Sequence, residues 1–208
     1  MSVGELALRG WAIVTRDRAT ARSFVERLFR SYATEIHAYL VRMVRDPDLA
    51  ADLTQETFVK AYRAYDSLDD PARARGWLYQ IAGRTALDEL RHRRIVRFIP
   101  WTGQTRGLAT SAEDAALRDH LSADVERALA RIPDRQRQAL LLAELHDLSG
   151  LELAAALGVS HVAARALLTR ARESLRQALA LERAARAEQD SAAAARDRAP
   201  APRPQDGP

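Results

Sequence analysis

Two neighbouring stretches decide the fold of this chain: DLAADLTQETFVKAYRAY at residues 48–65 and RGWLYQIAGRTALDELRHRR at residues 75–94. Each repeats its apolar residues at helical spacing, which predicts two helices separated by a short polar loop. In the first, three carboxylates recur every fourth residue and share one face, at Asp48, Asp52 and Glu56. The second carries aromatic residues early and arginines late. The unit is therefore expected to have an acidic end and a basic end.

The acidic face has two interpretations that spacing alone leaves equally open. Acidic residues near a helix N-terminus are stabilised by the helix dipole, so the face can be an ordinary solvated surface. Like charges four residues apart also repel each other, which favours a functional reason such as contact with a basic partner. Gln55 lies beside the face.

Helices are also predicted on both sides of the polar loop. Upstream, apolar residues recur at helical spacing over residues 23–45, with Ser23 as the expected N-cap and Pro47 ending the segment. Downstream, a helix is expected over residues 74–94. Trp77 lies on its apolar stripe, so we expect this ring in the core, whereas Tyr79 is a candidate to support an unstacked base of a single strand.

A second group of helical segments follows residues 97–120, where the periodicity stops and a linker is expected. Its last two helices are joined by a tight turn in which Gly158 is the expected C-cap and Ser160 the expected N-cap. This is a helix-turn-helix arrangement, whose second helix can enter the major groove of DNA. A stripe of arginines on that helix favours DNA contact over a hairpin that serves packing alone.

The predicted fold class is all-α, with two small helical domains joined by a flexible linker. The expected boundaries follow the helical periodicity and the composition of the chain: an N-terminal lead-in over 1–21, a first domain over 22–96, the linker over 97–120, a second domain over 121–182 and a tail over 183–208. The tail lacks large apolar residues, which predicts disorder.

Composition excludes several classes of function. The 208 residues include no cysteine, which rules out disulfides and cysteine-ligated zinc, and the formal net charge of +4 mildly favours an anionic partner. The five histidines are dispersed, no glycine-rich phosphate loop occurs, and no carboxylate has a matched base. We therefore predict no catalytic residues, no metal site and no cofactor. The absence of a signal peptide and of a long apolar run predicts a cytoplasmic protein without direct membrane insertion.

The combined pattern resembles a bacterial RNA polymerase sigma factor of the extracytoplasmic-function (ECF) type, in the sigma-70 family. DLAADLTQETFVKAY with GWLYQIAGRTALDELRHRR resembles sigma region 2, and IPDRQRQALLLAELHDLSGLELAAALGVSHVAARALLTRARESL resembles sigma region 4. The resemblance implies a protein that is not an enzyme by itself. It would bind core RNA polymerase, recognise promoter −10 and −35 elements, promote DNA melting and be controlled by an anti-sigma factor.

The resemblance also implies roles for individual residues. Polymerase binding would involve Asp52, Gln55 and Glu56. The −10 DNA would be held by Ser67, Arg73, Arg75, Tyr79, Arg84, Arg91, Arg93 and Arg94. The −35 DNA would be read by Ser160, His161, Arg165, Thr169, Arg170 and Arg172. Three positions depart from the family pattern. Ala166 and Leu167 stand where a small hydroxyl residue and an arginine are common, and Gly150 stands where a bulkier residue is usual.

Two other functions compete with this interpretation. A helix-turn-helix regulator that acts without polymerase would need neither the acidic face nor the long linker. A helical interaction protein with solvated arginines would show no salt-dependent DNA binding, whereas phosphate contacts make binding fall steeply with salt.

Overall fold

The computed structural model describes the backbone of residues 18–98 and 121–197 and the side chains of residues 18–95 and 121–191. The expectations for residues 1–17, 99–120 and 198–208 lie outside the described residues. The helices are α1 Arg18–Val44, α2 Pro47–Arg63, α3 Ala74–Phe98, α4 Ala123–Arg131, α5 Asp134–Leu140, α6 Gly150–Leu157 and α7 His161–Asp197. No strand occurs among the described residues, which confirms the all-α prediction.

Helices α1, α2 and α3 form the first domain. The prediction that Ser23 caps α1 is wrong, because the helix is already formed at Arg18 and the Ser23 hydroxyl donates to the carbonyl of Ala19 at 2.9 Å. The next helix, α2, is capped by Asp46, whose carboxylate accepts a hydrogen bond from the amide of Leu49 at 3.1 Å, and Pro47 lies in its first turn. Proline is favoured there because its missing N–H has no helical partner to lose.

Helices α4 to α7 form the second domain. The expected caps of the helix-turn-helix are confirmed: Gly158 ends α6 in the left-handed conformation, with φ of 65°, and the Ser160 hydroxyl accepts the amide of Ala163 at 3.2 Å. Ser149 and Glu152 add a capping box at the start of α6. After α5 the chain widens into a π-helical turn over Leu141–Leu145, which the sequence did not predict.

Helix α7 continues to Asp197, well beyond the predicted end of the second domain. Residues 183–197 are therefore helical, in contrast to the disordered tail expected from their composition. Glu182 is buried and accepts hydrogen bonds from Arg127 and Arg131 of α4, and Arg186 pairs with Asp124 one turn further along. These ion pairs join α7 to α4, and the alanine-rich sequence that follows has high helix propensity.

The two domains pack against each other, and their buried apolar residues form one continuous cluster. Helix α3 of the first domain lies along α6 of the second, and two glycines permit the close approach. A β-carbon at Gly76 would lie 3.3 Å from the carbonyl oxygen of Glu152, and one at Gly83 would lie 2.1 Å from Nε2 of Gln138. A side chain at Gly83 would have to displace the buried amide of Gln138, whereas one at Gly76 would make only a tight contact with Glu152.

Candidate nucleic-acid and protein interfaces

The acidic face of α2 is a free surface. Asp52 and Gln55 are exposed and make no side-chain hydrogen bond or ion pair within the described part of the chain. Glu56 is also exposed and pairs with Lys60, the single lysine of the sequence, at 2.8 Å. Helical periodicity thus brings the three predicted polymerase-binding residues together, with two of them available to an external partner.

An apolar groove lies beside this acidic face, and the sequence did not predict it. Phe29 of α1 and Val59 and Tyr62 of α2 are exposed and line a groove of about 310 Å³. Ala61, which precedes Tyr62, is fully buried, so the two neighbours lie on opposite sides of the core boundary. Val59 lies three residues after Glu56, so helical spacing alone places it next to the acidic face.

The loop between α2 and α3 is tied to the helix that follows it. The indole N–H of Trp77 donates to the Ser67 hydroxyl at 3.3 Å, and the same hydroxyl donates to the carbonyl of Ala64 at 2.6 Å. Trp77 is partly buried and packs against the core, as predicted. Arg73 is exposed and lies 3.7 Å from Asp70. The loop therefore presents Ser67 and Arg73 at a fixed position beside α3.

The arginines in the second half of α3 are all exposed but differ in their partners. Arg84 makes no side-chain hydrogen bond or ion pair with any described residue. Arg91 and Arg93 pair within the first domain, with partners that include Asp88 and Asp46. Arg94 reaches the second domain and donates to Asp134 at 2.6 Å.

A basic cleft of about 560 Å³ opens where α3 meets the second domain. Arg84, Arg91 and Arg94 lie on one wall and Arg135 on the other, and Asp88 and Asp134 also line the cleft. Cationic side chains gathered in a concave surface focus the field on an anionic ligand.

Tyr79 departs from its predicted role because its ring is fully buried, at 0% exposure. Its hydroxyl lies 2.8 Å from Nδ1 of His146 and 3.2 Å from Glu35. Arg75, also predicted to contact DNA, is partly buried and donates to the carbonyl of His146 at 2.8 Å and to Glu35 at 3.3 Å. Both side chains are therefore covered by the second domain in this arrangement.

Burial sets the protonation of this cluster. It raises the pKa of the Tyr79 hydroxyl, and the negative charge of Glu35 raises it further. Burial likewise lowers the pKa of His146 to about 4. His146 follows the unpredicted π-helical turn, which directs its side chain into the contact between the domains. Both groups are thus neutral at neutral pH.

The residues predicted to read duplex DNA lie along the start of α7 and are exposed, but few have free polar groups. The Ser160 hydroxyl caps the helix, and the Thr169 hydroxyl donates to the carbonyl of Arg165 at 3.0 Å. Arg172 donates twice to Glu144, at 2.6 Å and 2.9 Å. Arg165 and Arg170 make no side-chain ion pair or hydrogen bond with any described residue.

Both domains match families of known proteins. Residues 28–95 match Sigma-70 region 2, and residues 122–175 match Sigma-70, region 4. RNA polymerase sigma factor CarQ of Myxococcus xanthus is 35% identical over 167 residues, which cover 79% of this chain and 94% of CarQ. This chain belongs to the sigma-70 family, as a sigma factor of the ECF type. RNA polymerase sigma-H factor of Pseudomonas aeruginosa is 32% identical, over 78% of this chain and 89% of that protein.

Two solved structures share the fold. CnrH, determined in complex with the cytosolic domain of CnrY, is 26% identical, with a TM-score of 0.53 over 79% of this chain and 97% of CnrH. The sigma factor RpoE of Bartonella quintana, determined with the anti-sigma factor NepR, has a TM-score of 0.57 over 74% of this chain and 95% of RpoE, at 22% identity.

Membership of the family gives the sigma factor its function, which is to bind core RNA polymerase and recognise promoter DNA. The alternative of a regulator that acts without polymerase is not favoured. The first domain is region 2 and the second is region 4, in the order the sequence indicated. Within residues 18–98 and 121–197, no single helix has the length and apolar character that a membrane span requires.

The departures of this sigma factor from the family pattern have structural consequences. A β-carbon at Gly150 would lie 2.6 Å from Nε2 of His161, so the imidazole fills the space that a bulkier residue would take. Ala166 is exposed on the outer face of α7. Leu167 is partly buried against the core, so it is not available to DNA as an arginine there would be.

Proposed function

We propose that the sigma factor binds core RNA polymerase through the exposed acidic face of α2, at Asp52, Gln55 and Glu56. Two of these side chains have no partner among the described residues, which is the observation that supports the proposal best. The adjacent apolar groove at Phe29, Val59 and Tyr62 would extend the same surface. A partner helix with basic residues and an apolar edge fits both parts, because opposite charge steers association and apolar burial holds the complex.

The −10 DNA would lie along the basic side of region 2. Ser67 and Arg73 would contact the melted strand from the loop, and the four exposed arginines of α3 would neutralise its phosphates, at Arg84, Arg91, Arg93 and Arg94. Arg75 and Tyr79 would join them after region 4 moves away from α3. Capture of unstacked bases and neutralisation of phosphates, rather than nucleotide hydrolysis, would drive melting.

The −35 element would be read by α7 in the major groove. Its N-terminal turns present Arg165 and Arg170 without a described partner, flanked by Ser160, His161, Thr169 and Arg172. Such a stripe on the second helix of a helix-turn-helix is the usual geometry of base readout.

The cellular setting follows from the same proposal. The sigma factor would act in the cytoplasm, where its polymerase works, and would itself catalyse no reaction. An anti-sigma factor would inhibit it by covering the polymerase-binding faces. CnrH, to which this chain is similar, was determined with the cytosolic domain of CnrY, and this supports a protein partner for the present chain.

Reconstituted transcription tests the proposal. Core polymerase with the full chain should initiate from genomic promoter fragments, and Asp52→Ala with Glu56→Ala should weaken core binding at least tenfold while the far-ultraviolet circular dichroism stays unchanged. Glu188→Ala with Asp190→Ala removes the same charge from an exposed part of α7 and should leave binding intact. Equal core affinity of both double variants would reject the assigned face. Sequence-specific DNA binding without core binding would support the regulator instead.

A further inference from the structure

The outer face at the start of α7 carries exposed apolar groups. Val162 is 77% exposed in the first turn of the helix. Ala166 follows it by four residues and Thr169 by seven, and both are exposed. Residues at these spacings lie on one side of a helix, so the three form a single exposed stripe. We refer to Val162, Ala166 and Thr169 as the methyl stripe.

Polar groups beside this stripe are mostly engaged within the protein. The Thr169 hydroxyl proton is donated to the carbonyl of Arg165, which leaves the side-chain methyl as its main contact group. The Ser160 hydroxyl is used as a helix cap, and Glu144 holds Arg172. The imidazole of His161 lies against Gly150. Few hydrogen-bonding groups of this face are therefore free to read base edges.

Two arginines flank the stripe, and their positive charge favours an anionic partner. Arg165 and Arg170 are exposed and have no carboxylate partner among the described residues. An apolar stripe between free cations is complementary to a major groove in which thymine methyl groups project between phosphate rows. The thymine C5-methyl is the one apolar group that the base edges present in that groove.

We propose that the methyl stripe reads thymine C5-methyl groups in the −35 duplex. Val162 and Ala166 would pack on methyl groups of adjacent or alternating base pairs, and Arg165 would bond a neighbouring base edge or phosphate. Specificity at these positions then depends on apolar contact rather than on hydrogen bonds. This inference rests on the proposed function of α7, and it names the chemical group that the helix discriminates.

Replacing thymine by deoxyuridine tests the proposal, because it removes the C5-methyl and leaves every hydrogen-bonding group of the base pair. The full chain is used to select bound duplexes from a pool with a randomised segment. Each thymine of the selected duplex is then replaced singly by deoxyuridine, and affinity is measured by fluorescence anisotropy at one fixed salt concentration. At one or more positions the loss should be about fourfold, since a buried methyl group contributes on the order of one methylene of transfer free energy.

A variant of Val162 tests whether the affinity lost with deoxyuridine arises from contact with the methyl stripe. Val162→Ser removes the apolar group from a side chain that is mostly in solvent, so folding should be unaffected. With this variant, the thymine and deoxyuridine duplexes should bind alike at the position that Val162 contacts. Leu181→Ser is the matched control, because Leu181 is 61% exposed on the same helix, about five turns further along. It should retain the full discrimination.

The outcomes distinguish methyl readout from the −35 role of α7. Selection of a sequence whose deoxyuridine versions all bind as well as thymine overturns the methyl readout and leaves the role of α7 in place. Equal discrimination by the wild type and Val162→Ser overturns the assignment to the stripe. Failure to select any sequence overturns the proposed −35 role of the helix, and this inference with it.

Discussion

At the scale of single residues, the buried hydroxyl of Tyr79 joins the two domains. It contacts His146 of region 4 and Glu35 of region 2, and both Tyr79 and His146 are buried. A buried polar group that loses its partner costs far more than an exposed one, since no water replaces the bond. This cluster therefore contributes to stability through the polar groups that it satisfies.

Tyr79→Phe should destabilise the protein by about 1–3 kcal/mol, because it leaves Nδ1 of His146 without its closest partner. Urea unfolding measures this as a lower midpoint with an unchanged slope. Tyr62→Phe is the matched control, since Tyr62 is 38% exposed at the edge of the apolar groove and should tolerate the loss of its hydroxyl. Equal midpoints for both variants would mean that the Tyr79 hydroxyl contributes nothing.

His146 makes the closed arrangement sensitive to acid. Its pKa is about 4 in the folded protein and about 6.5 when the side chain is solvated, so between these values the unfolded chain binds a proton that the folded chain does not. The contribution of His146 to the free energy of unfolding should therefore be constant above pH 6.5 and should fall as the pH drops towards 4. The total loss is on the order of 3 kcal/mol.

The measurement is the free energy of unfolding at pH 7.5, 6 and 5 for the wild type and His146→Gln. Comparing the two proteins at each pH cancels the contributions of groups that behave alike in both. The difference between them should shrink or reverse as the pH falls. A difference independent of pH would show that His146 is as solvated in the folded state as in the unfolded one.

The sequence pattern predicted correctly which side chains are buried at some positions but not at others. Trp77 was assigned to the core because it lies on the apolar stripe of α3, and it packs there. Tyr79 lies two residues further on, off that stripe, which favoured an exposed role. It is buried between Tyr39 of region 2 and His146 of region 4, and no local pattern reports which surface another domain will cover.

At the scale of elements, the sequence predicted helix ends correctly where the capping residues have distinctive chemistry. Gly158 and Ser160 were predicted correctly because each supplies a conformation or an acceptor that few other residues supply. The start of α1 and the end of α7 were predicted incorrectly. Ser23 has cap chemistry but sits inside a helix, and the ion pairs of Glu182 that hold α7 to α4 join residues about fifty positions apart.

Gly83→Ala should weaken the contact between α3 and region 4. Alanine favours the isolated helix by about 0.8–1 kcal/mol relative to glycine. Its β-carbon would nevertheless lie 2.1 Å from Nε2 of the buried Gln138, and overpacking of this kind costs about 1–3 kcal/mol. The chain lacks cysteine, so dyes on Ala51→Cys and Ala180→Cys, both exposed, report the distance between the domains. Energy transfer should fall.

A second substitution distinguishes the clash from other effects. Gln138→Ala in the Gly83→Ala background removes the group that the new methyl would meet, so energy transfer should recover towards the wild-type value. Contacting residues are expected to show such coupling, whereas independent sites add. Unchanged transfer in Gly83→Ala, or no recovery in the double variant, would contradict the close approach at this position.

At the scale of the whole molecule, the sequence predicted two domains and their order but not how they face each other. Periodicity shows which side of a helix is apolar within its own domain. The contact between regions 2 and 4 also depends on polar pairs such as Arg94 with Asp134 and on glycines such as Gly76, and the role of each depends on a neighbour far away in sequence. The consequence is functional, because this contact covers Arg75 and Tyr79.

A disulfide across the contact would test whether promoter opening requires the domains to separate. A β-carbon at Gly76 lies 3.7 Å from Cβ of Ala155, within the range of disulfides, and no other cysteine competes. Oxidised Gly76→Cys with Ala155→Cys should bind core polymerase through the exposed acidic face of α2, but should lose at least tenfold in promoter-dependent initiation. Reduction should restore it, and each single variant should be active under both conditions. Full initiation by the oxidised protein would mean that Arg75 and Tyr79 remain covered throughout, so that the loop and the second half of α3 hold the −10 strand without them.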